Sequence, residues 1–134
     1  MNKSVLILCT GNSCRSIIAE ALINSQLKNV VAYSSGVAPS GSVNPNAKEV
    51  LKSHNEWSDK YHSKRLNTLE HIEFDLVVTV CNNAKETCPV FSKATPTIHV
   101  GFKDPDGKEY KEFETTYQEI KDTLLPIVSK YLGS

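Results

Sequence analysis

The chain has 134 residues, of which 40% are hydrophobic and 22% are charged, an ordinary globular composition with enough residues for one hydrophobic core. Fifteen basic residues balance fifteen acidic ones and no basic tract stands out, which argues against nucleic acid or acidic lipid as the main partner. No apolar stretch approaches the roughly 18 residues of a membrane span, and the N-terminus lacks a signal-peptide pattern. We therefore expect a single domain over residues 1–134 in the cytoplasm, where the four cysteines are more often catalytic or metal-binding than structural.

The predicted secondary structure alternates strands with helices. Val5–Leu8 is a continuous apolar run, typical of a strand in a buried parallel sheet. Asn44-Pro45 is a typical helix start, a cap followed by a first-turn proline, and Pro126 is expected to kink or loosen the last helix. In chain order the predicted elements are strand 1 (4–9), helix 1 (15–28), strand 2 (30–34), helix 2 (from 45), a short helix (66–71), strand 3 (74–80), strand 4 (97–102) and a final helix (108–132).

This alternation predicts an α/β domain with a four-stranded parallel sheet flanked by helices. For a small doubly wound sheet we expect the flavodoxin-like order 2-1-3-4, whose ligand crevice lies between strands 1 and 3. Cys9 ends strand 1 and Cys81 follows strand 3, and neighbouring strands lie about 4.8 Å apart. Since a disulfide spans a Cα separation of roughly 4.4–6.8 Å, the two sulfurs are within reach of each other in such a sheet.

Cys9 and Arg15 have the C-x5-R spacing that wraps a backbone loop around a tetrahedral oxyanion. A strand–loop–helix turn points successive N–H groups into one concavity, and the helix N-terminus adds partial positive charge. Arg15 supplies a planar fork that matches two anion oxygens. A cysteine at the floor of such a nest is favoured as thiolate, with a pKa of roughly 3.5–7.5. The alternative is a buried structural cysteine beside an ordinary turn, but strand, loop length, Arg15 and Ser16 together favour an active site.

Three further features concern the cysteines and a carboxylate. If residues 81–88 formed a continuous helix, the Cα atoms of Cys81 and Cys88 would be roughly 10.5 Å apart, so a disulfide between them requires unwinding. The alternative is two unconnected thiols.

Asp104-Pro105 follows strand 4 at the edge of the sheet where the loop lies, which suits a general acid, although its composition also fits a plain turn. Cys14, inside the loop, is expected to be structural.

Metal and cofactor motifs are missing from the sequence. The histidines at 54, 62, 71 and 99 have no ligand spacing, and C-x-x-C does not occur, so we predict no metal site. Neither G-x-G-x-x-G nor G-K-[ST] occurs, so we predict no nucleotide cofactor.

Three stretches together resemble the thioredoxin-coupled arsenate reductases, which share the fold of the low-molecular-weight protein tyrosine phosphatases. The similarity extends over nearly the whole chain. The C-x5-R-S loop alone would be shared with the phosphatases, whereas a downstream cysteine pair is specific to the reductases. The stretches are Cys9-Thr10-Gly11-Asn12-Ser13-Cys14-Arg15-Ser16, the pair Cys81 and Cys88 in Val-Thr-Val-Cys-(x6)-Cys-Pro, and Gly101-Phe102-Lys103-Asp104-Pro105.

The resemblance implies that residues 9–16 bind arsenate and that Cys9 attacks it. Arg15 and the Ser16 hydroxyl would hold Cys9 as thiolate, and Asp104 would protonate the departing oxygen.

The resemblance also implies a thiol–disulfide relay. Cys81 would attack Cys9 and release arsenite, and Cys88 would then move the disulfide to the 81–88 segment. Thioredoxin would reduce it there, with glutathione and glutaredoxin as a less favoured donor. Asn12 would brace the loop, and the enzyme is expected to be a monomer.

One departure from the family pattern matters most, and Lys103 before Asp104 is a smaller one. Some members bind a monovalent cation, typically potassium, through residues like Asn12, Glu20 and Ser34 and an aspartate. Here Lys64, in His62-Ser63-Lys64, stands where that acid would be. We interpret its ammonium as a replacement for the cation.

Two other functions are compatible with the loop. A small phosphatase acting on phosphotyrosine or another phosphomonoester would use the same oxyanion loop but has no need for Cys81 and Cys88. A non-enzymatic oxyanion or redox sensor is disfavoured by the complete set of Cys9, Arg15, Ser16 and Asp104.

Overall fold

A computed structural model of the chain describes residues 3–36, 39–69, 71–80 and 95–133. The elements are β1 (Lys3–Cys9), α1 (Arg15–Gln26), β2 (Val30–Gly36), α2 (Pro45–Ser53), a 3₁₀-helix (Leu66–Leu69), β3 (Leu76–Thr79), β4 (Thr97–His99) and α3 (Tyr110–Leu132). The strands form one parallel sheet in the order β2-β1-β3-β4, which confirms the predicted fold class and the order 2-1-3-4.

The core lies on both faces of the central strand β1. Val5 and Ile7 belong to the larger buried cluster, which also contains side chains of α1, α2 and α3. Leu6 and Leu8 point to the opposite face, in a smaller cluster with Leu69 of the 3₁₀-helix. Because successive side chains of a strand alternate between faces, burial on both sides requires the continuous apolar run seen in the sequence.

Strand β2 extends two residues beyond the prediction. Ser35 and Gly36 stay in the sheet because they pair with Leu8 and Cys9 of β1. Their small, polar composition is typical of loops, so local sequence alone placed the end of the strand too early. The extension brings the end of β2 alongside the start of the loop that follows Cys9.

Strand β1 begins one residue earlier than predicted, whereas several other elements are shorter than predicted. The helix predicted over 66–71 is a 3₁₀-helix over Leu66–Leu69, and β3 and β4 are shorter than 74–80 and 97–102. The chain after β4 nevertheless stays bound to the sheet, since the Phe102 N–H donates to the Val80 carbonyl over 3.2 Å. This bond fixes where the following Asp-Pro turn begins.

Helix α3 is continuous through Pro126 to Leu132, so the expected loosening of its final turns is not observed. Leu125 and Val128 on either side of the proline are buried and hold this part of α3 against the core. Pro126 itself is exposed. Among the described residues, none of the helices combines the length and the apolar character needed to cross a membrane.

Gly36, the last residue of β2, lies directly against the loop after β1. A Cβ atom built there would be 2.4 Å from the Thr10 carbonyl oxygen and 3.1 Å from the Asn12 backbone nitrogen. Both contacts are to backbone atoms, which cannot move aside as a flexible side chain would. The position therefore requires glycine for space.

We predict that Gly36→Ala destabilises the protein by about 1–3 kcal/mol, because the methyl group overpacks the sheet edge and displaces the loop. Urea denaturation of wild type and variant measures this change. Ser35→Ala is the matched control, since it adds no atom and removes a buried hydroxyl that has no hydrogen-bond partner among the described residues. Equal free energies of unfolding for Gly36→Ala and wild type would contradict the prediction.

Candidate active site

Residues 9–16, hereafter the oxyanion loop, connect the carboxyl end of β1 to the N-terminus of α1. β1 lies where the strand order reverses, which is where open α/β sheets bind ligands. Cys9 and Arg15 are each 3% exposed, so both are fixed by the surrounding structure. Cys14, the N-cap of α1, makes no side-chain capping bond, and the first turn holds no acidic residue. The N–H groups of that turn are therefore suited to an external anion.

Two carbonyl groups of the oxyanion loop accept hydrogen bonds from neighbouring segments. The Gly11 carbonyl accepts from the Ser40 N–H (2.9 Å) and the Ser63 hydroxyl (3.0 Å), and the Ser13 carbonyl accepts from the Asn44 N–H (3.0 Å). A trans peptide directs its N–H opposite to its carbonyl. The N–H groups of the two following residues therefore point to the concave side of the loop, where an oxyanion would sit.

Asn12 holds the loop from behind. Its backbone has a φ of 49°, which costs roughly 1–2 kcal/mol for a residue with a side chain, and its side chain is fully buried. The side-chain amide donates to Ser16 Oγ (2.8 Å) and Ser34 Oγ (2.9 Å), and Oδ1 accepts from the Lys64 backbone N–H (2.8 Å). These bonds offset the backbone cost and fix the left-handed turn.

The bonds of Asn12 continue into a closed circuit of four residues, hereafter the polar ring: Asn12, Ser34, Glu20 and Lys64. The Ser34 hydroxyl donates to Glu20 Oε1 over 2.5 Å. Lys64 Nζ lies 4.0 Å from the same oxygen and also donates to the His62 carbonyl over 3.1 Å. The side chains of Lys64 and Glu20 are only 9% and 7% exposed.

In the Glu20–Lys64 ion pair, burial disfavours the charged form of each group, whereas the opposite charge of the partner favours it. Burial raises the pKa of Glu20, and the Lys64 ammonium and the Ser34 hydroxyl counteract that rise only in part. Burial likewise lowers the pKa of Lys64, with Glu20 acting in the opposite direction. Each group therefore favours the charged form of the other.

Arg15 is oriented by two contacts at the far side of the loop. Its Nη1 donates to the Phe102 carbonyl (3.1 Å), and its Nη2 lies 3.4 Å from Asp104 Oδ2. Asp104 is 45% exposed and its Oδ1 accepts from the Asp106 N–H (3.0 Å). The structure thus places a carboxyl group beside the guanidinium, at an exposed position.

Asn44 ties the Asp-Pro turn to both the loop and α2. Its Nδ2 donates to Asp106 Oδ1 (2.7 Å), while its Oδ1 caps α2 by accepting from the Asn46 N–H (2.8 Å). Asp106 Oδ1 also accepts from the Cys14 thiol, over 3.8 Å. The sequence identified Asn44 as a helix cap only, because nothing local to it points to a partner 62 positions away.

These groups enclose a cavity of about 300 Å³. Of the predicted site residues, Ser16 is absent from the lining and sits behind it, while Ser40 and Asp106 were not predicted. Cys81 and Cys88 lie outside the described residues, as does the predicted relay between them. Within the described part of the chain, no three His, Cys, Asp or Glu side chains are grouped to hold a metal ion. The lining residues are Cys9, Thr10, Gly11, Asn12, Ser13, Cys14, Arg15, Ser40, Asp104 and Asp106.

The family profile described as low molecular weight phosphotyrosine protein phosphatase matches residues 4–130. The chain belongs to this family.

The chain is also similar in sequence to proteins named arsenate reductase. Arsenate reductase 1 of Staphylococcus epidermidis is 40% identical over 125 residues, which cover 91% of this chain and 92% of the relative. An arsenate reductase of Brevibacillus brevis is 40% identical over 124 residues, 88% of each chain. The crystal structure of an arsenate reductase from Archaeoglobus fulgidus superimposes with a TM-score of 0.84 at 29% identity, covering 93% of this chain and 98% of that one.

The environment of Cys14 disfavours a thiolate. Burial raises the pKa of the Cys14 thiol to about 12, so the group stays protonated at neutral pH. We predict that iodoacetamide at pH 7.5 alkylates Cys14 far more slowly in the folded protein than in urea. Tandem mass spectrometry of the tryptic peptide 4–15 locates the label, and equal rates in the two states would contradict the prediction.

Proposed function

We propose that the chain is a thioredoxin-coupled arsenate reductase that uses Cys9, Cys81 and Cys88 in sequence. The observation that carries the proposal is the cavity in which Cys9, Arg15 and Asp104 meet at the N-terminus of α1. The 40% identity to proteins named arsenate reductase supports arsenate as the oxyanion.

In the first step, arsenate binds to the N–H groups of the loop and to the fork of Arg15. The Cys9 thiolate attacks the arsenic, so that an S–As bond forms while an As–O bond breaks. Asp104 gives its proton to the departing oxygen, which leaves as water. Asp104 lines the same cavity as Cys9 and Arg15, which places its carboxyl group within reach of a bound oxyanion and supports this role.

Ser16 contributes a hydrogen bond from its hydroxyl group. Because Ser16 Oγ accepts from the Asn12 amide, its own O–H is directed to a different acceptor. We assign that acceptor as the Cys9 sulfur, whose negative charge the bond would stabilise.

In the second step, the Cys81 thiolate attacks the Cys9 sulfur. An S–S bond forms, the S–As bond breaks, and arsenic(V) takes the electron pair and leaves as arsenite. Cys88 then attacks Cys81, which frees Cys9 and places the disulfide between Cys81 and Cys88. The dithiol of thioredoxin reduces that disulfide and is itself oxidised.

We propose that the enzyme works as a monomer in the cytoplasm. Among the described residues, Tyr131 is the large hydrophobic side chain that is exposed, so this part of the surface offers little to an apolar interface. A relay through free thiols also needs a reducing compartment.

The second candidate function is hydrolysis of phosphomonoesters, which the family match favours. Phosphate and arsenate are both tetrahedral oxyanions, and the loop donors described above suit either. Some phosphatase activity is therefore expected from Cys9 and Arg15 even in a reductase.

Cys88→Ser separates the two functions. With thioredoxin, thioredoxin reductase and NADPH, we expect wild type to consume NADPH when arsenate is added. The variant should stop after one reduction, with a Cys9–Cys81 disulfide visible in non-reducing peptide mapping. Its hydrolysis of p-nitrophenyl phosphate should be unchanged, since that reaction does not use Cys88. If neither protein consumes NADPH while wild type hydrolyses the phosphate ester well, the phosphatase function is correct instead.

Asn44→Ser tests whether the Asp-Pro turn must be held in place. Serine keeps a capping oxygen for α2 but loses the amide that donates to Asp106, so Asp104 is less well positioned. We expect kcat for arsenate reduction to fall by about tenfold, with little change in KM. This loss is part of the roughly 10²–10⁴-fold rate enhancement that a general acid contributes. Free energy of unfolding should change by less than about 1 kcal/mol. An unchanged kcat would show that Asp104 does not depend on Asn44.

A further inference from the structure

The polar ring behind the oxyanion loop ends on a charge. The Asn12 amide donates to Ser34, and the Ser34 hydroxyl donates to Glu20, so both bonds run in the same direction towards a carboxylate. A buried carboxylate requires a positive partner, because desolvation of an unpaired charge is far more costly than that of a paired one. Lys64 Nζ, 4.0 Å from Glu20 Oε1, is that partner.

Some members of the family that this chain resembles bind a monovalent cation, typically potassium, through residues like Asn12, Glu20 and Ser34. The residues present do not fit one. The Lys64 ammonium already faces the Glu20 carboxylate, and a metal cation between them would meet a like charge inside a nearly closed site. The fourth ligand of the family pattern, an aspartate, is replaced by that same lysine.

We propose that the Lys64 ammonium is a built-in counter-ion that positions the oxyanion loop, so that this chain binds its oxyanion without a monovalent metal cation. Lys64 is a positioning residue, since it acts on the ligand through Glu20, Ser34 and Asn12. The proposal concerns the same site as the proposed function but rests on oxyanion binding alone.

Without the ammonium, the Glu20 carboxylate is a buried charge that has lost the cation 4.0 Å from its Oε1, and an unpaired buried charge is costly. The carboxylate lowers that cost by turning towards water, which removes the acceptor of the Ser34 hydroxyl and releases Ser34 from its position beside the Asn12 amide. Asn12 then loses a bond that fixes its left-handed backbone. The loss reaches the concave N–H groups, because Asn12 is itself part of the loop.

The side chain and the backbone of Lys64 can be tested separately. Its backbone N–H donates to Asn12 Oδ1 whatever the side chain is, so a substitution at 64 changes the charge and keeps this bond. Lys64→Met removes the charge at similar length, and Lys64→Arg keeps it. Glu20, Lys60 and Lys64 line a second cavity, separate from the one that contains Cys9. Lys60→Met is the matched control, because Lys60 also lowers the pKa of Glu20 through its charge but is exposed and lies outside the ring.

The experiment measures the dissociation constant for inorganic phosphate by calorimetry, in potassium, ammonium or choline chloride at equal ionic strength. Wild type, Lys64→Arg and Lys60→Met should bind phosphate equally in all three salts. Lys64→Met should bind about tenfold more weakly in choline, as expected when a charged partner leaves a hydrogen-bonded network. Potassium or ammonium should restore part of its affinity, which a merely structural defect would not allow.

Two results would overturn the proposal: a saturable gain in wild-type affinity with potassium over choline, or wild-type affinity of Lys64→Met in choline. If Lys64→Met does not fold, Lys64→Arg decides, since a potassium requirement in that variant contradicts the proposal and its absence supports it. Phosphate binding requires no reduction, so a chain that fails to reduce arsenate would remove the proposed function and leave this test valid.

Discussion

The three hydrogen bonds of the Asn12 amide join the oxyanion loop to α1, to β2 and to the segment before the 3₁₀-helix. The partners in these bonds, Ser16, Ser34 and Lys64, do not line the cavity that contains Cys9. An unpaired buried amide group costs about 1–3 kcal/mol, so these bonds strongly favour one loop conformation. The N–H groups on the concave side are therefore oriented before any oxyanion arrives. Hydrogen-bond donors that are already oriented stabilise developing negative charge without having to reorganise during the reaction. Such preorganised electrostatic stabilisation is usually the largest contribution to catalysis.

Arg15 connects this loop to the second half of the sheet. It is held by the Phe102 carbonyl, whose own residue is bound to the end of β3 through Val80, and it faces Asp104 two residues later. The parallel topology thus brings an acid from the far edge of the sheet to the loop of the central strand. In the proposed mechanism, an oxyanion that occupies the fork of Arg15 would replace Asp104 as its partner. The carboxyl group would then be next to the oxygen that must take a proton.

The sequence was sufficient to predict local structure where a residue pattern has one physical cause. The apolar run Val5–Leu8 predicts a central strand, and the spacing of Cys9 and Arg15 predicts the loop that follows it. Contacts between distant residues left no such pattern. The extension of β2 to Gly36 depends on pairing with β1, and the bond from Asn44 to Asp106 joins a helix cap to a turn 62 positions later. Glycine is ordinary at a strand end and asparagine is ordinary at a helix cap, so neither residue indicates its distant contact.

The proposed oxyanion donors of the loop suit a tetrahedral anion with negative oxygens, a description that phosphate and arsenate share. Arsenate and phosphate are therefore distinguished in the step after binding. A thiol attacking the Cys9 sulfur can release arsenic with the bonding electron pair, because arsenic(V) is readily reduced to arsenic(III), whereas phosphorus(V) is not. In a phosphatase the same covalent intermediate is resolved by water. In the proposed cycle, the reactivity of the bound element decides the outcome, and the shape of the cavity need only ensure that Cys9 is the atom attacked.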